Sequence, residues 1–288
     1  MTELNSIRRK LYIGLNQSLY LGVMPVPHRE HDIVADKLIV SLQGDILITL
    51  ANGDKITSRT CLAKAGIDFL KCNINTNNAV MAIYFLEPLT QDYSALESIM
   101  PCAMKGLHYD HPETEVLVQT LLKLREASTE PEQAFLMLRK FIVQPQLEHH
   151  IFKEFDERIV EVVHQIRITV RDNLSLKKFA DEVSLSESRL VKLFKSQMGI
   201  PITKYRLRYR VLIGIIHLSL GHSITEAALA AGFASAAHFS KSFSAINGIP
   251  PSETFFKPPH LEVLISDRVL KALSKVKICQ MQTKIKSR

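Results

Sequence analysis

The sequence contains one helical pattern twice within residues 174–256, and this repeat restricts the fold more than any other feature. Both copies have a small residue, a turn residue and two apolar anchors in the same order: Ala180, Ser184, Leu190 and Phe194, then Ala228, Gly232, Phe239 and Phe243. A tight turn between helices and apolar anchors under the second helix are typical of a helix-turn-helix unit. Phe194 and Phe243 lie 49 residues apart, and a matched repeat is far more specific than a single match. We predict helix-turn-helix units over 176–197 and 224–247.

An apolar stripe between the two units predicts a long connecting helix. Its members recur every three or four residues: Ile202, Tyr205, Tyr209, Leu212 and Ile216. A second stripe predicts the first helix of the same module, which we place over 156–258: Ile159, Val162, Val163, Ile166 and Val170. A stiff connector matters because two reading helices must enter successive major grooves about 34 Å apart on one face of the duplex.

Charge is unevenly distributed along the chain, whose net charge is +7. Residues 156–288 contain 21 lysines and arginines against 11 aspartates and glutamates, whereas residues 1–155 contain 15 against 18. A basic module joined to a mildly acidic one suits a DNA-binding part attached to a sensor, because phosphate neutralisation drives nonspecific DNA affinity. A solvated basic surface would give the same balance, and the tandem motif favours DNA binding.

The first half of the chain has the pattern of a β-domain. Short apolar runs such as 38–42, 45–50 and 80–85 are separated by turn residues, which predicts a small barrel or jelly roll over 1–98. Residues 99–155 are predicted to be helical. One apolar stripe would contain Val116, Leu117, Thr120, Leu121 and Leu124, and a second would contain Ala134, Phe135, Leu138 and Phe141. The two stripes would either cover the barrel or pair two subunits. The fold class is therefore α+β multidomain: an N-terminal barrel with covering helices and a C-terminal all-α domain.

The cysteines and the N-terminus indicate a compartment rather than a chemistry. Cys61, Cys72, Cys102 and Cys279 lack the spacing and the histidine companions of a zinc site, so we expect reduced thiols, no metal and no cofactor. The N-terminus lacks a signal-peptide layout, and the longest apolar run, 211–216, is too short to cross a bilayer. We expect a cytoplasmic protein without a membrane partner.

Several segments of the last third of the chain combine into one specific pattern: 186–195, 199–205, Arg210, 223–226, 232–243 and 248–251. This pattern resembles the AraC/XylS family of bacterial transcription regulators, although that family usually has Ala where Gly214 stands. The resemblance implies base-reading positions in both units: Ser188, Arg189, Val191, Lys192 and Lys195, then Ala236, Ala237, His238 and Lys241. Arg189 and Lys192 would donate to guanine acceptors, and Val191 would contact a thymine methyl group.

Other cationic side chains are better suited to the DNA backbone than to the bases. Lys204, Arg206 and Arg208 are predicted phosphate contacts, and Lys195 suits the same role. The second reading helix offers mostly methyl groups. We therefore expect the first unit to supply most of the direct sequence discrimination, and the second to contribute affinity and shape fit.

Residues 1–98 also resemble the cupin-type sensor domains that precede many such modules. This resemblance places a candidate effector pocket at His28 and His31, in the segment that leads into the strand ending at Gly44. Two histidines without a third ligand do not make a metal site, so we expect a structural or small-ligand role. The combined resemblance implies a regulator that binds promoter DNA, with a small effector, a second copy of the chain and RNA polymerase as candidate partners.

Other functions remain open at this point. A cupin-type metalloenzyme would contain tightly bound metal, and a nonspecific architectural protein would bind DNA almost independently of sequence. A regulator without a small ligand is a further variant. The basic extension 259–288, in which Ser266 and Asp267 would cap a helix, is predicted to pack on the adjacent domain, with disorder or a DNA or membrane contact as alternatives.

Overall fold

The computed structural model describes residues 8–15, 17–23, 35–67, 72–76, 79–142 and 154–274. They form an N-terminal β-rich domain, which we call the sensor, and a C-terminal helical module, so the predicted α+β class is confirmed. The strands are β1 Arg9–Ile13, β2 Ser18–Val23, β3 Lys37–Ser41, β4 Ile46–Leu50, β5 Lys55–Ser58, β6 Thr60–Ala63, β7 Cys72–Asn75, β8 Val80–Phe85, β9 Cys102–Met104, β10 Leu107–Tyr109 and β11 Leu261–Ile265. The helices are α1 Asp92–Ile99, α2 Thr114–Glu126, α3 Pro131–Ile142, α4 Glu157–Ile168, α5 Leu176–Glu182, α6 Glu187–Met198, α7 Ile202–Ser219, α8 Ile224–Ala230, α9 Ala236–Asn247 and α10 Pro251–Phe255.

Two sheets packed face to face build the sensor. The larger has the order β11-β1-β2-β8-β3-β6-β10-β9, and the smaller has the order β5-β4-β7. Side chains of β3 pack in two different hydrophobic cores, one on each face of the larger sheet, because successive residues of a strand point to opposite faces. Ile39 packs with Ile48 of β4 between the sheets, whereas Leu38 and Val40 pack on the outer face.

Helices α1 to α3 cover this outer face. The predicted stripe of α3 is buried as expected: Ala134, Phe135, Leu138 and Phe141. In α2 the buried residues are Leu117, Val118, Leu121 and Leu124, while Val116 is 61% exposed. The prediction was wrong at Val116, because α2 meets the sheet through the face that contains Val118.

The larger sheet extends beyond residue 98, where the sequence suggested that the barrel ends. Strand β10 pairs with β6, with Leu107 opposite Ala63, and β9 pairs with β10. Strand β11 joins the opposite edge, next to β1. These strands are too short, or too far along the chain from their partners, to be recognised from alternation.

Local capping explains where the helices of the module begin and end. Each of the four helices in the two units follows a serine whose hydroxyl accepts a hydrogen bond from a backbone N–H: Ser175, Ser186, Ser223 and Ser235. Ser223 and Glu226 complete a capping box. Helices α6 and α9 both end at a glycine in the left-handed conformation. The helix-turn-helix boundaries are therefore encoded locally.

The 18-residue helix α7 connects the two units and is about 27 Å long. Tyr205 packs in the core of the first unit, and Ile216 packs in the core of the second. Gly214 allows α7 and α9 to approach closely, since a Cβ there would lie 2.7 Å from Cζ of Phe239. In the described part of the chain, no helix is both long and apolar enough to span a membrane.

Candidate nucleic-acid interface and interdomain cavity

Helix α6 combines a fixed underside with an exposed cationic surface. Leu190, Phe194 and Met198 are buried, and the ring of Phe194 meets that of Tyr205 edge-on at 5.7 Å between centroids. The positions assigned to base reading in this unit are all exposed: Ser188, Arg189, Val191, Lys192 and Lys195. The packing fixes the helix, and the exposed side leaves these groups accessible to a ligand.

Helix α9 presents a less polar surface. Ala237, His238 and Lys241 are exposed, whereas Ala236 is half-buried. The His238 ring stands edge-on to Phe233 at 5.2 Å between centroids. Among the assigned positions, α9 thus has one long cationic side chain where α6 has three, which is the basis of the unequal division of base reading that we predict.

The three residues assigned to phosphate contacts lie on α7, and all are half-buried. The Arg206 guanidinium donates to the carbonyl of Leu174 at 2.9 Å and lies 5.1 Å from the ring centroid of Phe179. Arg208 lines a cavity between the sensor and the module. The phosphate contacts of Lys204, Arg206 and Arg208 stay predictions.

The cavity has a volume of about 160 Å³ and lies between the larger sheet and the second unit. Its apolar walls come from both sides: Leu11, Tyr20, Ile83 and Phe85 of the sensor, and Val211, Leu212, Ile215, Phe243 and Ile246 of the module. Arg9, Lys37 and Arg208 add cationic groups, and none of the described residues that line the cavity is acidic. An apolar space with a few convergent polar groups is the usual form of a small-molecule site.

Two cationic side chains of this cavity, Lys37 and Arg9, have buried polar atoms. Lys37 is only 7% exposed, and burial lowers the pKa of its amine to about 8, with nearby Arg208 acting in the same direction. Nη2 of Arg9 donates to the carbonyl of Thr254 at 3.2 Å and to that of Pro259. Its Nε is buried without a hydrogen-bond partner among the described residues. Among the described residues, the charged side chains that line the cavity are all cationic.

The first unit contacts the sensor as well. Arg167 of α4 donates to Glu87 at 2.6 Å and to the Tyr205 hydroxyl at 2.9 Å. The sensor loop at Gly66 lies against the end of α6, since a Cβ on Gly66 would be 2.6 Å from the carbonyl oxygen of Gly199. Each unit thus has its own junction with the sensor.

Known proteins share parts of this architecture. Residues 179–256 match the model of a helix-turn-helix domain. The transcriptional regulatory protein HptR of Staphylococcus aureus (strain NCTC 8325 / PS 47) is 26% identical over 145 residues, which cover 50% of this chain and 56% of HptR. Apo ToxT from Vibrio cholerae strain SCE256 has a TM-score of 0.57 at 14% identity, covering 83% of this chain and 97% of ToxT. ToxT of the same strain with an unsaturated fatty acid bound has a TM-score of 0.50 at 13% identity, covering 85% of this chain and 97% of that one.

The module thus contains a helix-turn-helix domain. The likeness to ToxT extends the shared fold from the tandem units to the β-rich domain before them. The chain spans about half of the length of HptR, 56% of it. Its helix-turn-helix units form a DNA-binding domain.

The interdomain cavity lies partly on residues that the sequence analysis did not single out. His28 and His31 fall outside the residues that the structure describes, so their assignment stays a prediction. The sequence analysis did not identify Lys37 and Arg9 as lining residues of this cavity. A signal existed for Lys37, which directly precedes the apolar run 38–42 and begins a fully buried strand. No sequence signal marked Arg9, because its hydrogen-bond partners, the carbonyls of Thr254 and Pro259, lie about 250 residues later in the chain.

Proposed function

We propose that this chain is a sequence-specific transcription regulator of the AraC/XylS family, and that it binds promoter DNA through both of its helix-turn-helix units. One observation supports the proposal most strongly. The two reading helices, α6 and α9, are both capped, each has one buried face, and the single helix α7 connects the two units. The exposed side chains of Arg189, Lys192 and Lys241 supply groups suited to groove and backbone contacts. The chain acts by binding rather than by catalysis.

Selection of bound genomic fragments, followed by affinity measurements at fixed salt, tests this proposal. A regulator should prefer a selected fragment over a scrambled one of equal length by about 10³-fold or more. A ratio near one would favour the architectural DNA-binding protein. Tightly bound metal in the purified protein, found by elemental analysis, would favour the metalloenzyme.

We propose further that the effector is a small amphipathic anion in the interdomain cavity. Arg9, Lys37 and Arg208 provide the charge, and the apolar walls accept a hydrocarbon body. The bound unsaturated fatty acid in a ToxT structure of the same fold supports this ligand class. A ligand that touches both sensor and module binds one domain arrangement better than others, which is the requirement for coupling it to DNA affinity.

Calorimetric titration with hexanoate, whose size matches a cavity that could hold a benzene-sized ligand, tests the effector proposal. Lys37→Met should weaken binding at least tenfold, whereas Lys55→Met, on an exposed position of β5, should not. Hexanol, which lacks the charge, should bind more weakly than hexanoate. Equal binding of hexanoate to the wild type and to Lys37→Met would contradict the assignment.

We also propose that α2 and α3 pair two copies of the chain. Their inner faces cover the sheet, while Val116 and Leu136 remain 61% and 67% exposed. Leu136→Glu should therefore shift the sedimentation equilibrium toward monomer. Leu229→Glu, at a position 59% exposed on α8, is the matched control, and an unchanged equilibrium in both variants would count against this interface.

RNA polymerase is the remaining proposed partner, because a promoter-bound regulator has to alter transcription. Transcription in vitro from a selected fragment should change when the protein is added. An unchanged transcript level at saturating protein would argue against a direct effect on the polymerase.

A further inference from the structure

The end of the described chain returns from the DNA-binding module to the sensor. Strand β11 pairs in parallel with β1 along its full length, from Leu261 opposite Arg9 to Ile265 opposite Ile13. The backbone N–H of Ser266 continues the pairing by donating to the Ile13 carbonyl at 2.9 Å. A helix over 267–274 follows. This segment, residues 261–274, therefore covers an edge of the larger sheet that would otherwise be open.

The side chains of this segment complete the core of the second unit. Leu261, Val263 and Ile265 pack into the apolar cluster that contains Phe239 and Phe243 of α9. Leu11 and Ile13 of β1 belong to the same cluster, and Val269, which is 7% exposed, extends it. By contrast, the cluster beneath α6 contains no member of 261–274 among the described residues. Residues 261–274 thus pack beneath α9 and not beneath α6.

Charged contacts fix the same junction. Lys10 is fully buried, and its Nζ donates to the Ala127 carbonyl at 2.6 Å. Glu262 places a carboxylate oxygen 3.8 Å from that amine. A buried ammonium group is costly without a counter-charge, so removing or reversing Glu262 should loosen the pairing of β11 with β1.

We propose that residues 261–274 form a clasp that docks the second helix-turn-helix unit, and not the first, on the sensor. Opening the clasp frees α8 and α9 from the sheet and leaves α5 and α6 in place. Because β11 and the helix after it pair and pack as one contiguous segment, they open together as a local unit. One half of the DNA-reading surface is thereby coupled to the sensor through a separate, breakable element.

Hydrogen exchange measured by mass spectrometry on the full chain tests the clasp. Glu262→Lys puts a second cation beside buried Lys10, and amide exchange in α8 and α9 should become about tenfold faster. Exchange in α5 and α6 should stay within twofold of the wild type. Glu253→Lys makes the same charge change on exposed α10 and should leave both units at wild-type rates. Unchanged exchange in α8 and α9, or equal acceleration of both units, would overturn the proposal.

A reversible lock provides a second test, in which two redox forms of a single variant are compared. Ile13 and Ile265 are direct register partners, and adjacent strands are about 4.8 Å apart, a separation that a disulfide spans. In Ile13→Cys/Ile265→Cys, the oxidised form should show at least tenfold slower exchange in α8 and α9 than the reduced form. Reductant should reverse the effect. Equal rates in the two forms would also overturn the clasp.

Discussion

Replacing Gly232 with alanine should destabilise the second helix-turn-helix unit by about 2–5 kcal/mol. Gly232 has a φ of +80°, a conformation that costs an L-residue about 1–2 kcal/mol. A Cβ at this position would also lie 2.7 Å from the Val170 carbonyl oxygen and 2.9 Å from the Arg171 Cα. Both are backbone atoms and cannot rotate away, so overpacking adds about 1–3 kcal/mol.

Gly221 provides a matched control in the same module. It has a φ of +87°, but nothing lies within 4 Å of the position its Cβ would take. Gly221→Ala should therefore cost only the conformational part, about 1–2 kcal/mol. Urea unfolding followed by helical circular dichroism at equal protein concentration measures both variants. Equal losses in Gly221→Ala and Gly232→Ala would refute the close approach between the turn and the end of α4.

Further expectations concern DNA binding, packing and pH. Arg189→Ala and Lys192→Ala should each cost about 1–3 kcal/mol on a selected fragment and less on random DNA; equal losses on both DNAs in binding assays would rule out base reading. Gly214→Ala should destabilise the module by up to about 2 kcal/mol in urea unfolding, because overpacking against Phe239 outweighs the gain in helix propensity of about 1 kcal/mol; a stabilised variant would contradict this close contact. The folded Lys37 amine loses its proton near pH 8, whereas in the unfolded chain it keeps the proton to about pH 10.5. The unfolded state therefore binds more protons in this window, and Lys37 adds up to about 3 kcal/mol to stability as pH rises from 8 to 10.5. Lys37→Met should lack this increment in pH-dependent urea unfolding, and parallel curves for variant and wild type would show that the amine is not buried.

The tandem units were predictable because their signals are local. Serines at the helix starts, the anchors Phe194 and Phe243, and the apolar spacing along 202–216 all lie within one or two turns of the structure that they specify. Even the turn residue Ser184 takes a positive φ of 53°, equivalent to that of Gly232. The units expected over 176–197 and 224–247 correspond to helices α5 and α6 over 176–198 and helices α8 and α9 over 224–247.

The interdomain features could not be predicted in the same way. Leu261 to Ile265 is an ordinary apolar run whose strand partner lies about 250 residues earlier, and no short-range period shows which edge it will join. The cavity likewise depends on Lys37 and Arg208 coming from different domains. Val116 was misplaced because a helical stripe fixes a face only to within about one residue, and the sheet beneath α2 decides which neighbour is buried.

Hydroxyl-radical footprinting of the full chain on a selected fragment tests the central claim most directly, that α7 holds two reading helices so that both enter one stretch of DNA. The account predicts two protected segments on the same face of the duplex, separated by about 10 base pairs. Lys241→Ala should weaken protection in one segment and Arg189→Ala in the other. Protection confined to a single groove segment, unaffected by Lys241→Ala, would contradict the account.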